Sequence, residues 1–457
     1  MQKSFLTLSA VLLLAGCQPS QQATDSATVP APEKTEQFLL TSKTPYQPQQ
    51  DWQSYSRVPA GFSIVGLQHV ARHGSRFLSS RGDDDLMLQL LQLATEQQGL
   101  TPLGQELALI VRQLHQVHQP DKYGEISGLG VQEHQQIAAR MLARLPTLFQ
   151  LALEQQQRMA VLHSGRERAD QSGDAFVAGL TAIKPQLASL FDAGQADEAT
   201  LYFYKAEGSE AFQHYRKSDP RLARVMQQLE ADPKRLQAAT AMLQRFFTGS
   251  FFARLAHGEI ELTIPDDDDA IRNPLDAANV LYSLYSIASN LTAEGEFDFS
   301  SLLLPEHLLP LAELDDADSF YGRGPAFAND NVTFNLAGRL VKDMLDKAGQ
   351  SSGYAATFRF THAQVMMPLA AYLGILDASE PLPESEIYSY QSSRWRSGKV
   401  APMAANVQWE IFRNAGNETI VRMLHNERET RFAANCQLYA DTRYFYLLTE
   451  LQSCLNH

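Results

Sequence analysis

The chain has 457 residues and a formal net charge of −14 at pH 7, and 44% of its residues are hydrophobic. That length exceeds one typical domain and is enough for a large buried core. The acidic balance excludes nucleic acid as an expected partner, because binding to a phosphate backbone needs an excess of lysine and arginine. A small anionic substrate is still allowed, since a local cluster of cations can act against the global charge.

The N-terminus is predicted to be an export signal. Lys3 precedes an apolar stretch from Phe5 to Leu14 that is too short to span a bilayer. The segment Leu-Ala-Gly-Cys ends at Cys17 and resembles the bacterial lipobox, in which the cysteine becomes the acylated first residue of the mature protein. The alternative is an ordinary signal peptide with a chance cysteine. We expect a lipid anchor in the bacterial cell envelope, in the outer membrane and facing the periplasm or the exterior.

The rest of the chain is predicted to be a linker followed by a folded body. Residues 18–50 are rich in Gln, Ser, Thr and Pro, which is typical of a flexible tether. Residues 51–200 and 346–457 are expected to form the core, and residues 201–345 an α-helical insertion that covers the site. An acidic run at residues 266–269 lacks the spaced ligands of a calcium loop, so a solvated turn is favoured.

Three segments of the body repeat the order of apolar strand, polar loop and helix. The predicted strands are Phe62–Leu67, Met159–Leu162 and Ala356–Thr361. Helical spacing of apolar residues runs over 85–98, 103–118 and 130–157. This order predicts an α/β fold with a parallel-sheet core flanked by helices. Ligands bind beyond the carboxyl ends of parallel strands, which is where the three polar loops are expected to meet.

The first polar loop contains Arg72-His73-Gly74-Ser75-Arg76. A neutral imidazole is a competent nucleophile toward phosphorus, and arginines offer forked donors that match phosphate oxygens. Neighbouring cations would lower the pKa of His73, and Gly74 would let the backbone come close to the bound group. The alternative is a basic surface turn. The pattern predicts a phosphate site with His73 as its nucleophile.

The other two loops supply candidates for the same anion. Arg168 follows the second predicted strand and His362 the third, while Arg166 competes with Arg168 in its loop. Because a doubly charged phosphate needs more neutralisation than two arginines provide, we expect Arg168 and His362 to converge on it. The sequence contains neither CxxC nor HExxH. Metal-independent chemistry with no cofactor is therefore predicted.

Cysteine usage leaves one question open. Apart from the lipobox residue, Cys436 and Cys454 are the cysteines of the chain. In an oxidising compartment they either pair and close the C-terminal segment or remain two free thiols. The sequence does not choose between these alternatives.

Taken together, these motifs resemble the histidine phosphatase superfamily, in the branch of acid phosphatases and phytases, and within it the multiple inositol polyphosphate phosphatases. RHGSR matches the family's RHGxR nucleophile loop, RADQSGDAFVAGL resembles the segment that carries a further phosphate-binding arginine, and FRFTHAQVMMPLAAYLGI resembles the second-histidine motif. The stretches SGKVAPMAANVQWEIF and VRMLHNE are also similar to that subgroup. The resemblance covers most of the chain after Phe62.

The resemblance implies a function and a role for each site residue. It implies an α/β core with an α domain, a phosphohistidine intermediate on His73, and inositol phosphates such as phytate as substrates. Arg72, Arg76 and Arg168 would bind the transferred phosphate, and His362 would donate a hydrogen bond to it. Further basic residues are candidates for binding the other phosphates, although a solvated side chain is the favoured interpretation for each of them alone: Lys205, Arg216, Lys217, Arg323 and Lys399.

One position departs from the family's pattern. The family's proton donor is the Glu of a His-Ala-Glu motif, and the matching residue here is Gln364. An amide donates hydrogen bonds but does not release a proton at useful cost. Either another acid substitutes for it, or turnover is slow, or the preferred ester has a better leaving group. The alternative function is therefore a phosphate- or inositol-phosphate-binding lipoprotein that has lost turnover.

The lipobox generates the first testable prediction. The mature protein should begin at an acylated Cys17 and partition with membranes. Replacing Cys17 with Ser should release the protein or block its processing, which membrane fractionation and mass spectrometry of the N-terminus would detect. A soluble wild-type protein with an intact, unacylated N-terminus would contradict this prediction.

Overall fold

A computed structural model describes residues 39–119, 121–265, 269–349 and 354–455. The strands are β1 (Phe62–Arg72), β2 (Arg158–His163), β3 (Gln195–Ala196), β4 (Leu262–Thr263), β5 (Ala270–Ile271), β6 (Tyr354–Thr361), β7 (Asn406–Asn414), β8 (Thr419–His425), β9 (Arg428–Thr430) and β10 (Phe445–Leu447). The first helices are α1 (Gly82–Glu96), α2 (Pro102–His118), α3 (Gly128–Arg144), α4 (Pro146–Gln155), α5 (Glu167–Ile183), α6 (Glu198–Leu201), α7 (Glu210–Ser218) and α8 (Pro220–Glu230). The others are α9 (Pro233–Leu243), α10 (Gly249–Ala256), α11 (Pro274–Ala288), α12 (Pro305–Arg323), α13 (Gly338–Gly349), α14 (Ala363–Tyr372), α15 (Ser397–Val400) and α16 (Leu448–Cys454). Cys17 and residues 266–268 of the acidic run lie outside the described residues.

The main sheet is mixed, with the strand order β10-β8-β7-β1-β6-β2-β3 and with β9 paired to β8. β6 runs parallel to both β1 and β2, whereas β7 is antiparallel to β1 and to β8. The predicted α/β class with flanking helices is confirmed, but the sheet is only partly parallel. A short turn joins β7 to β8, and such a hairpin can only produce antiparallel pairing.

The three predicted strands are β1, β6 and β2, which lie side by side in the parallel part of the sheet. β1 continues beyond the predicted end at Leu67 and reaches Arg72, so its last residues enter the site directly. The helix predicted over residues 130–157 is instead two helices. Pro146 begins the second one, because proline lacks the amide hydrogen that a continuous helix would need there.

A second hydrophobic core of the body is formed mainly by helices. These helices do not all come from the predicted insertion, residues 201–345. It joins α1 and α2 to α9, α10 and α11, through side chains such as Leu90, Leu107, Met242 and Leu281. By contrast, α7, α8 and α13 pack in the core that covers the sheet. An amphipathic helix packs its apolar face against a complementary apolar surface, wherever that surface lies in the sequence. Helices from distant parts of the chain therefore share this core.

The predicted linker is too long at its C-terminal end. Residues 39–50 pack against the body: Leu39 and Tyr46 are buried, and the Tyr46 hydroxyl donates a hydrogen bond of 2.9 Å to Glu427. The Gln49 amide also donates to the Asn426 carbonyl at 2.9 Å. Few large apolar residues occur in this stretch, but two of them are enough to anchor it.

The structure answers the cysteine question, because Cys436 and Cys454 form a disulfide across 18 residues. Replacing both with Ser should lower the free energy of unfolding by about 3 kcal/mol, since a cross-link over such a loop restricts the unfolded chain. Urea denaturation would measure the difference. A reducing agent should bring the wild type to the level of the variant and leave the variant unchanged; equal stabilities without reductant would contradict the prediction.

Candidate active site

The loop predicted to carry the nucleophile continues directly from β1, and segments of the chain on both sides hold it. The His73 amide donates to the Thr361 carbonyl at 2.8 Å, and the His73 carbonyl accepts from the Ala404 amide at 3.0 Å. Arg72 and His73 are both buried. Backbone pairing on both sides therefore fixes where the imidazole enters the site.

Helix α3 buttresses the loop from below. Glu133 accepts hydrogen bonds from the Ser75 amide at 2.7 Å, the Ser75 hydroxyl at 2.8 Å and the Tyr46 amide at 2.8 Å. A side chain at Gly74 would come within 2.6 Å of the Gly130 carbonyl oxygen. Glycine is needed at position 74 because the helix backbone crosses there. The contact with α3 is therefore what the packing explains. The expected approach of the backbone to the bound group at Gly74 stays a prediction.

The imidazole of His73 is held in one tautomer. Its Nδ1 lies 3.0 Å from the Gly74 carbonyl oxygen, and a carbonyl only accepts, so Nδ1 carries the proton. Nε2 then keeps its lone pair. Burial, followed by the charges of Arg72 and Arg168, holds the pKa of His73 well below the usual 6.5. A neutral ring with a free Nε2 lone pair is the state that attacks phosphorus.

Three arginines from two loops crowd around this ring. Burial and then the charges of Arg76 and Arg168 lower the pKa of Arg72 to about 9, and burial and Arg168 lower that of Arg76 to about 10. Arg72 is fixed by its Nη1, which donates to the carbonyls of Ser42 and, at 2.7 Å, Ala401. Guanidinium groups stay charged in proteins, so these lowered pKa values express the cost of burying charge together with mutual repulsion, and a bound anion would relieve both.

His362 faces the nucleophile from the end of β6. The two imidazole rings lie 5.5 Å apart between centroids, and His362 Nε2 is 2.8 Å from the Ser164 hydroxyl. Burial and then Arg168 lower the pKa of His362 to about 2, so the ring is neutral. Its Nδ1 is buried and has no hydrogen-bond partner within the described residues. If Ser164 donates to Nε2, Nδ1–H is available to an anion between the two histidines.

Arg166, the alternative to Arg168, and Gln364, at the expected proton-donor position, lie near His362. Arg166 is exposed, and its guanidinium carbon stacks 4.6 Å from the ring centroid of Tyr202. The ring of Tyr202 in turn meets His362 edge-on, with centroids 5.5 Å apart. Gln364 is half-buried at the second position of α14, two residues after His362.

The five basic residues that were candidates for binding further phosphates lie in different parts of the structure. Arg216 and Arg323 share Asp318, with nitrogen–oxygen distances of 3.3 and 3.2 Å. Lys205 is exposed, and its Nζ lies 5.9 Å from the Tyr202 ring centroid. Lys399 is half-buried on α15, two residues before Ala401, whose carbonyl accepts from Arg72. Lys217 is exposed on α7. Lys205 and His362 therefore both lie near the ring of Tyr202. Arg216 and Arg323 already form ion pairs with Asp318.

Sequence reasoning missed four contributors to this geometry. Glu133 and Ser172 hold the loop, the latter by accepting from the Gly74 amide at 3.1 Å. Ser164 lay inside the second polar cluster, so its position after a strand was a usable signal. Tyr202 had no such signal, because its approach to His362 is created by the fold alone.

Residues 63–426 match the histidine phosphatase superfamily (branch 2). The match covers more than half of the chain, and the chain belongs to this family. It is a phosphatase of the histidine acid phosphatase and phytase type.

Individual relatives agree with this assignment. The multiple inositol polyphosphate phosphatase of Bifidobacterium longum, in complex with phosphate, superposes with a TM-score of 0.86 at 29% identity, over 92% of this chain and 97% of that one. Its complex with inositol hexasulfate gives a TM-score of 0.84 at 29% identity, over 91% and 97%. Multiple inositol polyphosphate phosphatase 1 of Gallus gallus is 23% identical over 87% of this chain and 84% of that protein. A phytase from D. castellii shares the fold, with a TM-score of 0.61 at 15% identity over 95% of this chain and 89% of that one.

Residues 1–18 match the prokaryotic membrane lipoprotein lipid attachment site, which indicates a lipid-anchored envelope protein. Within the part of the chain that the structure describes, no helix combines the length and apolar character that a membrane crossing requires. The same described residues contain no group of three or more His, Cys, Asp or Glu placed to hold a metal ion.

The lowered pKa of His73 generates a prediction about acid pH. The ring must be neutral to attack, so activity is lost only as the pH falls through its lowered pKa, and kcat/KM corrected for substrate ionisation should not decline between about pH 7 and pH 5. Arg168→Met removes a cation and should move the acid limb to higher pH, because the pKa values of His73 and His362 then rise. An acid limb near pH 6.5 in the wild type, or one that the substitution does not move, would contradict this.

Proposed function

We propose that the protein is an exported phosphomonoesterase that hydrolyses inositol polyphosphates such as phytate through a phosphohistidine on His73. The observation that carries the proposal is a buried imidazole with Nδ1 at the Gly74 carbonyl, kept neutral by burial and by the charges of Arg72, Arg168 and Arg76. A phosphoryl group brings the negative charge that this cluster favours, and it offers the electrophilic atom that the imidazole requires.

Each site residue has a distinct part in the proposed reaction. The Nε2 lone pair of His73 attacks phosphorus as the bond to the leaving oxygen breaks. Arg72, Arg76 and Arg168 neutralise the phosphoryl oxygens, and Nδ1–H of His362 donates a hydrogen bond to one of them. Water then attacks the phosphohistidine and releases inorganic phosphate. Gln364 orients groups by hydrogen bonding and supplies no proton.

The substrate class rests on the relatives and on the surrounding charges. One solved relative bears inositol hexasulfate, a ring with many anionic groups. Near the proposed site this chain presents Lys205 and Arg166 beside Tyr202, and Arg323 of α12 interacts electrostatically with Tyr204. Several cations beyond the transferred phosphate favour a substrate that carries more than one phosphate. We infer that the protein is anchored in the outer membrane, where it would encounter phosphate esters outside the cytoplasm.

Gln364 favours one competing function, an inositol-phosphate-binding lipoprotein without turnover. The same cluster of cations would bind an anion in either case. The two functions differ in the fate of the bound ester, because only the enzyme transfers the phosphoryl group to His73.

Phosphate release from phytate tests the choice. Purified wild-type protein should release inorganic phosphate, and acid-labile phosphate should be trapped on His73 in rapidly quenched samples. His73→Ala should lose turnover by more than about 10³-fold, because the nucleophile itself is removed. His257→Ala, the same substitution at an exposed histidine, is the matched control and should retain full activity.

Other outcomes separate the alternatives. Phytate binding without phosphate release or phosphorylation would favour the binding lipoprotein. Full activity in His73→Ala would exclude the mechanism. Turnover should also persist with a chelator, since arginines carry the proposed neutralisation.

A further inference from the structure

The leaving oxygen of an inositol ester needs a proton, and the residue at the family's donor position cannot supply one. An alkoxide is strongly basic, so its departure without protonation is slow. Gln364 is an amide, yet His73 is neutral and the charges of three arginines act on it, with His362 5.5 Å away between ring centroids. Efficient hydrolysis of such an ester therefore requires another group near His362 that can release a proton.

We propose that Tyr202 is the general acid of this site and protonates the leaving oxygen in place of a carboxylic acid. The inference rests on the proposed function. Tyr202 is half-buried and meets His362 edge-on, with ring centroids 5.5 Å apart. Its hydroxyl also interacts electrostatically with Arg168. The phenol therefore lies beside two of the groups that would hold the transferred phosphate.

The surroundings of Tyr202 suit a group that must release and regain a proton. Arg166 stacks on one face at 4.6 Å, and the Lys205 ammonium is 5.9 Å from the ring centroid. Burial raises the pKa of Tyr202, but its interaction with Tyr204 and the charges of Lys205 and Arg166 outweigh burial and lower the pKa below its usual 10. These cations would stabilise the tyrosinate that proton release leaves behind.

Tyr204 is placed to stabilise the conjugate base of Tyr202. The two phenol rings lie 4.6 Å apart between centroids, and their hydroxyl groups interact. Burial and then Tyr202 raise the pKa of Tyr204, whereas that of Tyr202 is lowered, so Tyr202 is the phenol of the pair that releases its proton more readily. Once Tyr202 has released its proton, the Tyr204 hydroxyl can donate to the tyrosinate oxygen. A phenol whose conjugate base is stabilised in this way suits the role of a general acid.

The two half-reactions balance with Tyr202 in this role. When His73 Nε2 bonds to phosphorus, the electrons of the breaking P–O bond pass to the leaving oxygen, which takes the proton of Tyr202 and departs as an alcohol. In the second half, water attacks phosphorus and the electrons of the P–N bond return to His73. The tyrosinate takes a proton from that water, which restores the phenol and leaves hydrogen phosphate.

Tyr202→Phe tests the inference, because it removes the hydroxyl and keeps the ring. For phytate, kcat/KM should fall by about 10²-fold or more, the usual contribution of a general acid. For p-nitrophenyl phosphate, whose leaving group departs as a stable anion, the loss should be only a few-fold. Adding Gln364→Glu to Tyr202→Phe should restore activity selectively on phytate. Tyr439→Phe, an equal change at a tyrosine paired with Glu418 on the surface, is the matched control.

The contrary results are distinct. Equal losses on both esters would assign Tyr202 a structural part only, and unchanged phytate hydrolysis would exclude it altogether; either result overturns the inference and leaves the proposed function intact. Wild-type protein that releases phosphate from neither ester would overturn the proposed function and this inference together.

Discussion

Repulsion among cations that cannot move apart is the constraint on which the rest of this structure depends. Arg76 and Arg168 are half-buried beside the buried His73 and Arg72, where charges are poorly screened. The arginines remain charged, so the imidazole is the group that stays neutral. Burial and this repulsion keep His73 unprotonated, and a bound anion would relieve the repulsion. In the proposed mechanism one arrangement therefore serves both binding and activation, which is the complementarity that catalysis requires.

Holding such a cluster requires fixed supports, and the fold provides them from distant parts of the chain. Carbonyls of Ser42 and Ala401 hold the Arg72 guanidinium, while Glu133 holds the loop that follows His73. The segment before β1 thus belongs to the site, although its composition is that of a tether. Since the supports of the Arg72 guanidinium are backbone carbonyls, which carry no formal charge, Arg72 keeps its position without giving up its positive charge.

In the proposed reaction, the two ends of the ester are handled by different parts of the molecule. Residues at the ends of β1, β2 and β6 would surround the phosphoryl group, because parallel strands end at the same edge of the sheet. Tyr202 and Tyr204, just after α6, would form the leaving-group side. A missing carboxylate on α14 can therefore be compensated from another element, provided that its acidity is adjusted by neighbours such as Arg166 and Lys205.

The sequence by itself determined the family and the strand-ending loops, and it predicted His73, Arg72, Arg76, Arg168 and His362 as the residues of the site. These features are local: apolar periodicity marks β1, β2 and β6, and short motifs come directly after them. It also allowed a disulfide without deciding it. The tertiary structure alone decided the pairing of Cys436 with Cys454, the mixed sheet, and the union of α1 and α2 with helices more than a hundred residues away. It also decided the contact between Tyr202 and His362. Such contacts join segments that share no local pattern, and they form only when all the apolar faces of the chain are buried at once.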